Sequence, residues 1–145
     1  MRVQVCNLNL NILHIKKEIA QFMADLKVTD RALTACFVFP ADFIGFQGHF
    51  PQKKLLPGVC QIQCIISMLE KWKKKNVALM EIVSAKFLSP VLPLEEITCE
   101  CREILDNDGE FIVKAFISKA GGRVAEIKLR ARIAGEERKD NSSVV

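Results

Sequence analysis

The sequence predicts an α+β domain in which an antiparallel sheet wraps around one long central helix, and three observations carry that expectation. Val59, Ile62, Ile65, Ile66, Leu69 and Trp72 recur at helical spacing, with Met68 beside them, and mark a face too broad for a surface helix. Four stretches over 77–88, 97–104, 111–118 and 124–134 then alternate apolar and polar residues, as half-buried strands do. Asp108-Gly109 and Gly121-Gly122 sit between them and offer the φ > 0 conformations that tight hairpins need. With 145 residues, 50% of them hydrophobic, the chain has enough apolar mass for one core, so 1–135 reads as a single domain. The last ten residues, EERKDNSSVV, lack any apolar period and are expected to be a disordered tail over 136–145.

Taken in order, Val3, Val5, Leu8, Leu10 and Ile12 alternate with Gln4, Asn7, Asn9 and Asn11, which predicts a short strand over 3–12. Ile15, Ile19, Phe22, Met23 and Leu26 then return every three or four residues, and a helix from His14 to Asp25 is expected, its second half also readable as a strand. From Lys27 the pattern is extended. Ala32 to Pro40 forms a strand that leads into a turn at Asp42-Phe43-Ile44-Gly45. In the final strand Ile127, Leu129, Ala131 and Ile133 point to one face and Lys128, Arg130 and Arg132 to the other.

Composition narrows the function classes. A net charge of +4 is far from the dense basic stripe of a nucleic-acid binder, and an acidic protein partner suits it better. No window approaches ~18 uninterrupted apolar residues and the start shows no basic segment followed by an apolar run, so a soluble, cytoplasmic protein without membrane insertion is expected. Six cysteines occur without a C-x2-C pair. Cys60 and Cys64 lie one helical turn apart and Cys99 and Cys101 share a strand face. Buried free thiols are the expectation, with a zinc site from those four as the alternative.

The chemistry concentrates between Phe46 and Lys75. A Gly- and Pro-rich loop places His49 between Gly48 and Phe50, and Pro57-Gly58 stands directly before the apolar helix. A helix N-terminus carries unpaired N–H groups and partial positive charge, which suits a carbonyl oxygen becoming an oxyanion. His49-Phe50-Pro51, followed by Leu56-Pro57-Gly58-Val59 and then Gln61, resembles the active-site segment of the hotdog-fold 3-hydroxyacyl-acyl-carrier-protein dehydratases, in the branch with an LPGV-x-Q motif. The chain departs from that pattern at Gln52, at Lys54 and at Gln63, which stands fourteen residues after His49 where the family has its catalytic Glu or Asp.

The resemblance implies a hotdog fold paired into a homodimer or an oligomer of dimers, with His49 of one subunit meeting Gln63 of the other. It implies an acyl thioester of acyl carrier protein or CoA as substrate, no cofactor and no metal. His49 takes the place of the base, Gly58 and the Val59 amide that of the oxyanion donors, and Lys53 and Lys54 a docking patch for the carrier, extended by Lys71 to Lys75. Gln63 can hold a water or hydroxyl but cannot release a proton near neutral pH. Glu70, Asp42 and Glu81 are the other carboxylates considered for that role, and Cys64 a packed thiol rather than a nucleophile. His14 reads as a surface or capping histidine. Three functions stay open at this point: a dehydratase or hydratase with a weakened acid, a hotdog thioesterase in which Gln63 orients water, and a non-catalytic acyl-thioester binding protein.

Overall fold

A computed structural model describes residues 9–30, 32–46 and 54–135. Helix α1 covers Asn9–Gln21 and strand β1 Met23–Val28. Strand β2 covers Ala32–Val38, a single 3-10 turn Ile44–Phe46, and helix α2 Gly58–Lys73. Strands β3, β4, β5 and β6 follow as Val77–Phe87, Glu96–Asn107, Glu110–Lys119 and Gly122–Ile133. All six form one sheet in the order β1-β2-β4-β5-β6-β3, with every neighbouring pair antiparallel. The predicted α+β class therefore holds. No helix among the described residues is long and apolar enough to cross a membrane.

The beginning of the chain differs from the pattern reading. Residues 9–12 are helical rather than extended, and residues 3–8 of the expected strand lie outside the described residues, as does the expected tail at 136–145. The helix placed at His14 to Asp25 stops at Gln21, where the Phe22 amide bonds to both Glu18 and Ile19 carbonyls in a tightened last turn. Met23 then pairs with Phe37 of β2, and a register shift between Ala24 and Lys27 accompanies a left-handed Asp25 at φ 56°. Pairing with β2 outweighs the weak helical period of Met23 and Leu26, so the strand alternative is the one realised. His14 is exposed and lies 3.2 Å from Glu18 one turn on, a surface contact.

Alternation drives the core. Leu33, Ala35 and Phe37 of β2, Ile97, Cys99 and Cys101 of β4, Phe111, Val113, Ala115 and Ile117 of β5, and Ile127, Leu129 and Ala131 of β6 are all buried on the face that meets α2. The helix answers with Ile62, Ile65, Ile66, Met68 and Leu69. Burying each large apolar side chain contributes about 1.5–3 kcal/mol, so this shared face holds the two layers together. Asp108 and Gly109 take φ values of 54° and 81° in the β4–β5 hairpin, as its tight turn demands. Helix α2 ends at a left-handed Lys74 whose amide bonds to the Glu70 carbonyl at 2.7 Å.

Strand β3 departs from one-sided burial, as does β1, where only Met23 is buried. In β3 only Val77 is buried, while Leu79, Met80, Ile82, Val83 and Phe87 are exposed along an edge whose single strand neighbour is β6. An apolar edge strand with a free hydrogen-bonding side is a template for pairing with another chain.

Candidate active site

Helix α2 opens at Pro57, whose extended backbone (φ −63°, ψ 152°) stops any earlier helix and whose carbonyl accepts the amides of Cys60 at 3.0 Å and Gln61 at 3.2 Å. The N–H groups of Gly58 and Val59 precede those first helical bonds, and no side chain caps the end. Val59 is 68% exposed, so its amide stands at an open helix start. Leu56 holds the approach: its side chain is buried and its amide bonds to the Val91 carbonyl at 2.9 Å. Gly58 lies close under the ring of Phe87, the last residue of β3: a β-carbon there would come within 2.7 Å of Cζ, so the half-exposed ring would have to shift.

Gln63 follows just over one turn into the helix and is half-buried. Its Nε2 donates to Ser67 Oγ at 3.1 Å, across one further turn. This contact occupies the amide nitrogen and leaves Oε1 as an acceptor. Gln61, on a different face, is buried; its Nε2 reaches the Leu56 carbonyl at 3.4 Å, and its Oε1 is buried without a partner among the described residues.

The carboxylates weighed against Gln63 are engaged elsewhere. Glu70 accepts from Lys16 Nζ and from the Val77 amide, both at 2.8 Å, and so joins α1, α2 and the start of β3. Glu81 pairs with Arg130 at 3.2 Å on the edge of the sheet, and Asp42 lies exposed in a turn. Of the predicted site residues, Gly58, Val59 and Gln63 come together at the first turns of α2. Lys54 is exposed and donates to the Ala41 carbonyl at 3.1 Å. His49 and Lys53 lie outside the described residues. Ser67 is what the sequence reading missed; the only trace of it was the one-turn spacing from Gln63.

The cysteines behave as core residues. Cys60, Cys64, Cys99 and Cys101 are buried free thiols, with Cys64 of α2 beside Cys99 of β4. Burial pushes the Cys60 thiol from 9.0 up to about 11 and raises Cys64 and Cys101 as well, so none supplies a thiolate at neutral pH. The folded state therefore holds these protons more tightly than the unfolded chain. The stability that this confers is fully present below pH 9.0 and is lost as pH rises through the folded values, for Cys60 up to about 11. Denaturant midpoints should be level to about pH 9 and then fall, by up to about 1.4 kcal/mol per pH unit for each such thiol. A midpoint unchanged at pH 10.5 would contradict the buried assignment.

This helix-on-sheet arrangement, with an open helix start beside a wide antiparallel sheet, is that of the hotdog fold. The dehydratase heterocomplex ApeI:P from Xenorhabdus doucetiae superposes with a TM-score of 0.64, covering 76% of this chain and 96% of that one at 16% identity. A hypothetical thioesterase from Streptococcus pneumoniae, solved with coenzyme A, superposes at 0.61, covering 89% and 99% at 9% identity. At such identities these structures establish the fold. The chain belongs to the ApeI-like dehydratase family, whose model matches residues 25–126. It is also 32% identical over 100 residues to the 3-hydroxyacyl-[acyl-carrier-protein] dehydratase FabZ of Bartonella henselae, a match covering 63% of this chain and 64% of that protein's length. The chain is thus a hotdog protein of the dehydratase type.

Proposed function

We propose that this chain eliminates water from 3-hydroxyacyl thioesters of acyl carrier protein or CoA, in lipid, fatty acid or polyketide biosynthesis, within a cytoplasmic homodimer or oligomer of dimers. The observation that supports this most is the start of α2, where the amides of Gly58 and Val59 have no partner among the described residues and stand one turn from Gln63. In this reading His49 removes the C2 proton, and the thioester oxygen takes up the electron pair against the Val59 amide. The C3–O bond then breaks as the electrons return to form the double bond. Gln63 holds the leaving hydroxyl through Oε1 but gives no proton, so the imidazolium formed at His49 delivers it and water departs. One group serving as base and then acid loses the separate acid that typically supplies ~10² to 10⁴ in rate.

The exposed β3 edge is the surface proposed for pairing, with Lys53 and Lys54 contacting a carrier protein. The Xenorhabdus doucetiae structure is a heterocomplex; on this chain the β3 edge is proposed to pair with a second copy.

A thioesterase is the second reading. It is favoured by the Ser67 contact, which engages Gln63 Nε2 and leaves Oε1 as an acceptor able to aim a water at the thioester carbonyl. Time courses with a 3-hydroxyacyl and a saturated acyl thioester separate the possibilities. Enoyl absorbance from the first substrate supports dehydration, free thiol from both supports hydrolysis, and binding without turnover leaves a non-catalytic acyl-thioester protein.

A further inference from the structure

We infer that the outer face of the sheet, turned away from α2, docks a partner protein through a helix that carries carboxylates one turn apart. The seat is a row of three cations, Arg102 of β4, Lys114 of β5 and Lys128 of β6, which stand directly opposite one another across three neighbouring strands. This holds whichever thioester reaction the chain performs.

All three residues are exposed, and each adjoins a core residue, Cys101, Val113 or Ile127, so they share the face opposite the core. Directly opposite residues lie about 5 Å apart, so the row is about 10 Å long. It places like charges where unlike ones would stabilise the sheet. Arg102 is balanced by Glu100 at 2.7 Å, whereas Lys114 and Lys128 have no ion-pair partner among the described residues. One ring steadies the cations: Arg102 Cζ and Lys114 Nζ lie 4.8 and 5.7 Å from the centre of the half-buried Phe116 ring, and Arg123 Cζ lies 4.4 Å from it.

Lysines solvated on an open sheet face are the plainer explanation. They account for the exposure, but not for the register, because carboxylates stand one row away on either side. Glu100 and Glu126 flank Phe116, and Glu81 and Glu110 neutralise Arg130. That pattern also selects the partner. A uniformly anionic surface such as a lipid bilayer would meet those four carboxylates as well as the cations. A helix with acids at i, i+4 and i+7 instead presents one line of charge, about 10 Å long at the ~1.5 Å rise per residue.

The test is fluorescence anisotropy with two alanine-rich synthetic helices, one with glutamates at i, i+4 and i+7 and one with glutamines there. The proteins are the full chain as wild type, Lys114→Glu and Lys128→Gln. Wild type should bind the glutamate helix at least about tenfold more tightly at about 0.01 M salt. The preference should collapse by about 0.15 M, as the screening length falls from about 30 Å to about 8 Å. Lys128→Gln should reduce the preference and Lys114→Glu abolish it. Lys114→Glu should also raise the melting temperature, since its carboxylate would stand between Arg102 and Lys128, so lost binding cannot be lost folding. An undiminished preference in Lys114→Glu overturns the docking row, as does a wild type that treats the two helices alike. A melting temperature lowered by Lys114→Glu removes the repulsion on which the inference stands and overturns it too. Vesicles of equal parts phosphatidylcholine and phosphatidylserine are the control. Vesicle binding that Lys114→Glu abolishes, without any preference between the helices, assigns the row to lipid and overturns the protein partner.

Discussion

Replacing Gln63 with glutamate should raise the rate of enoyl formation by about 10²-fold or more, the scale that a general acid supplies. The exchange keeps the shape of the side chain and leaves Ser67 in place, now donating its hydroxyl to one carboxyl oxygen. The other oxygen takes the position of the present Oε1. Half-burial on an apolar helix disfavours the charged form, so the new carboxyl should stay protonated to higher pH than an exposed glutamate. The gain is then greatest at mildly acidic to neutral pH and fades as pH rises through that carboxyl's pKa. His49→Ala should remove turnover in either background. A Gln63→Glu protein that is folded and dimeric yet no faster than wild type would mean that another group already gives the proton.

Charging the β3 edge should have a comparable effect by a different route. Ile82 and Val83 are adjacent at a register shift of β3, where Ile82 pairs with Leu129 and Ser84 with Lys128, and both are nearly half exposed. If the edge pairs with a second copy, burying the exposed half of each contributes about 0.8–1.5 kcal/mol per chain. Ile82→Glu with Val83→Lys should therefore weaken association by at least ~10²-fold, since each ~1.4 kcal/mol is tenfold. Sedimentation at micromolar concentration should show dimers for wild type and monomers for the variant, with turnover lost alongside. A wild type that sediments as a monomer while still turning over would rule out a site shared between subunits.

The parts legible in the sequence are those where a period and a punctuation residue agree. Helix α2 was visible because Ile62, Ile65, Ile66 and Leu69 repeat after Pro57-Gly58, and β4 to β6 because alternation is broken by Asp108-Gly109 and the glycines at 121–122. The first thirty residues were not legible. Phe22, Met23 and Leu26 satisfy a helical and an extended reading equally, and only the pairing of Met23 with Phe37 decides between them. The exposure of β3 was hidden for a related reason: alternation tells which residues share a face but not whether another layer covers that face. Within the site, the helix start at Pro57-Gly58 followed from the residues and the roles of Val59 and Gln63 from the family resemblance, whereas the contact of Gln63 with Ser67 and the burial of Gln61 depend on side-chain torsions that residue types do not encode.

The ring of Phe87 resting on Gly58 joins two regions that would otherwise be independent, the outer rim of the sheet and the helix start proposed to hold the carbonyl. Anything that seats on that rim presses on the backbone amides one atom layer beneath. If a second copy pairs on that rim, as proposed, dilution would loosen it, the turn at Pro57 would lose its backing, and turnover would fall faster than in proportion to the number of chains.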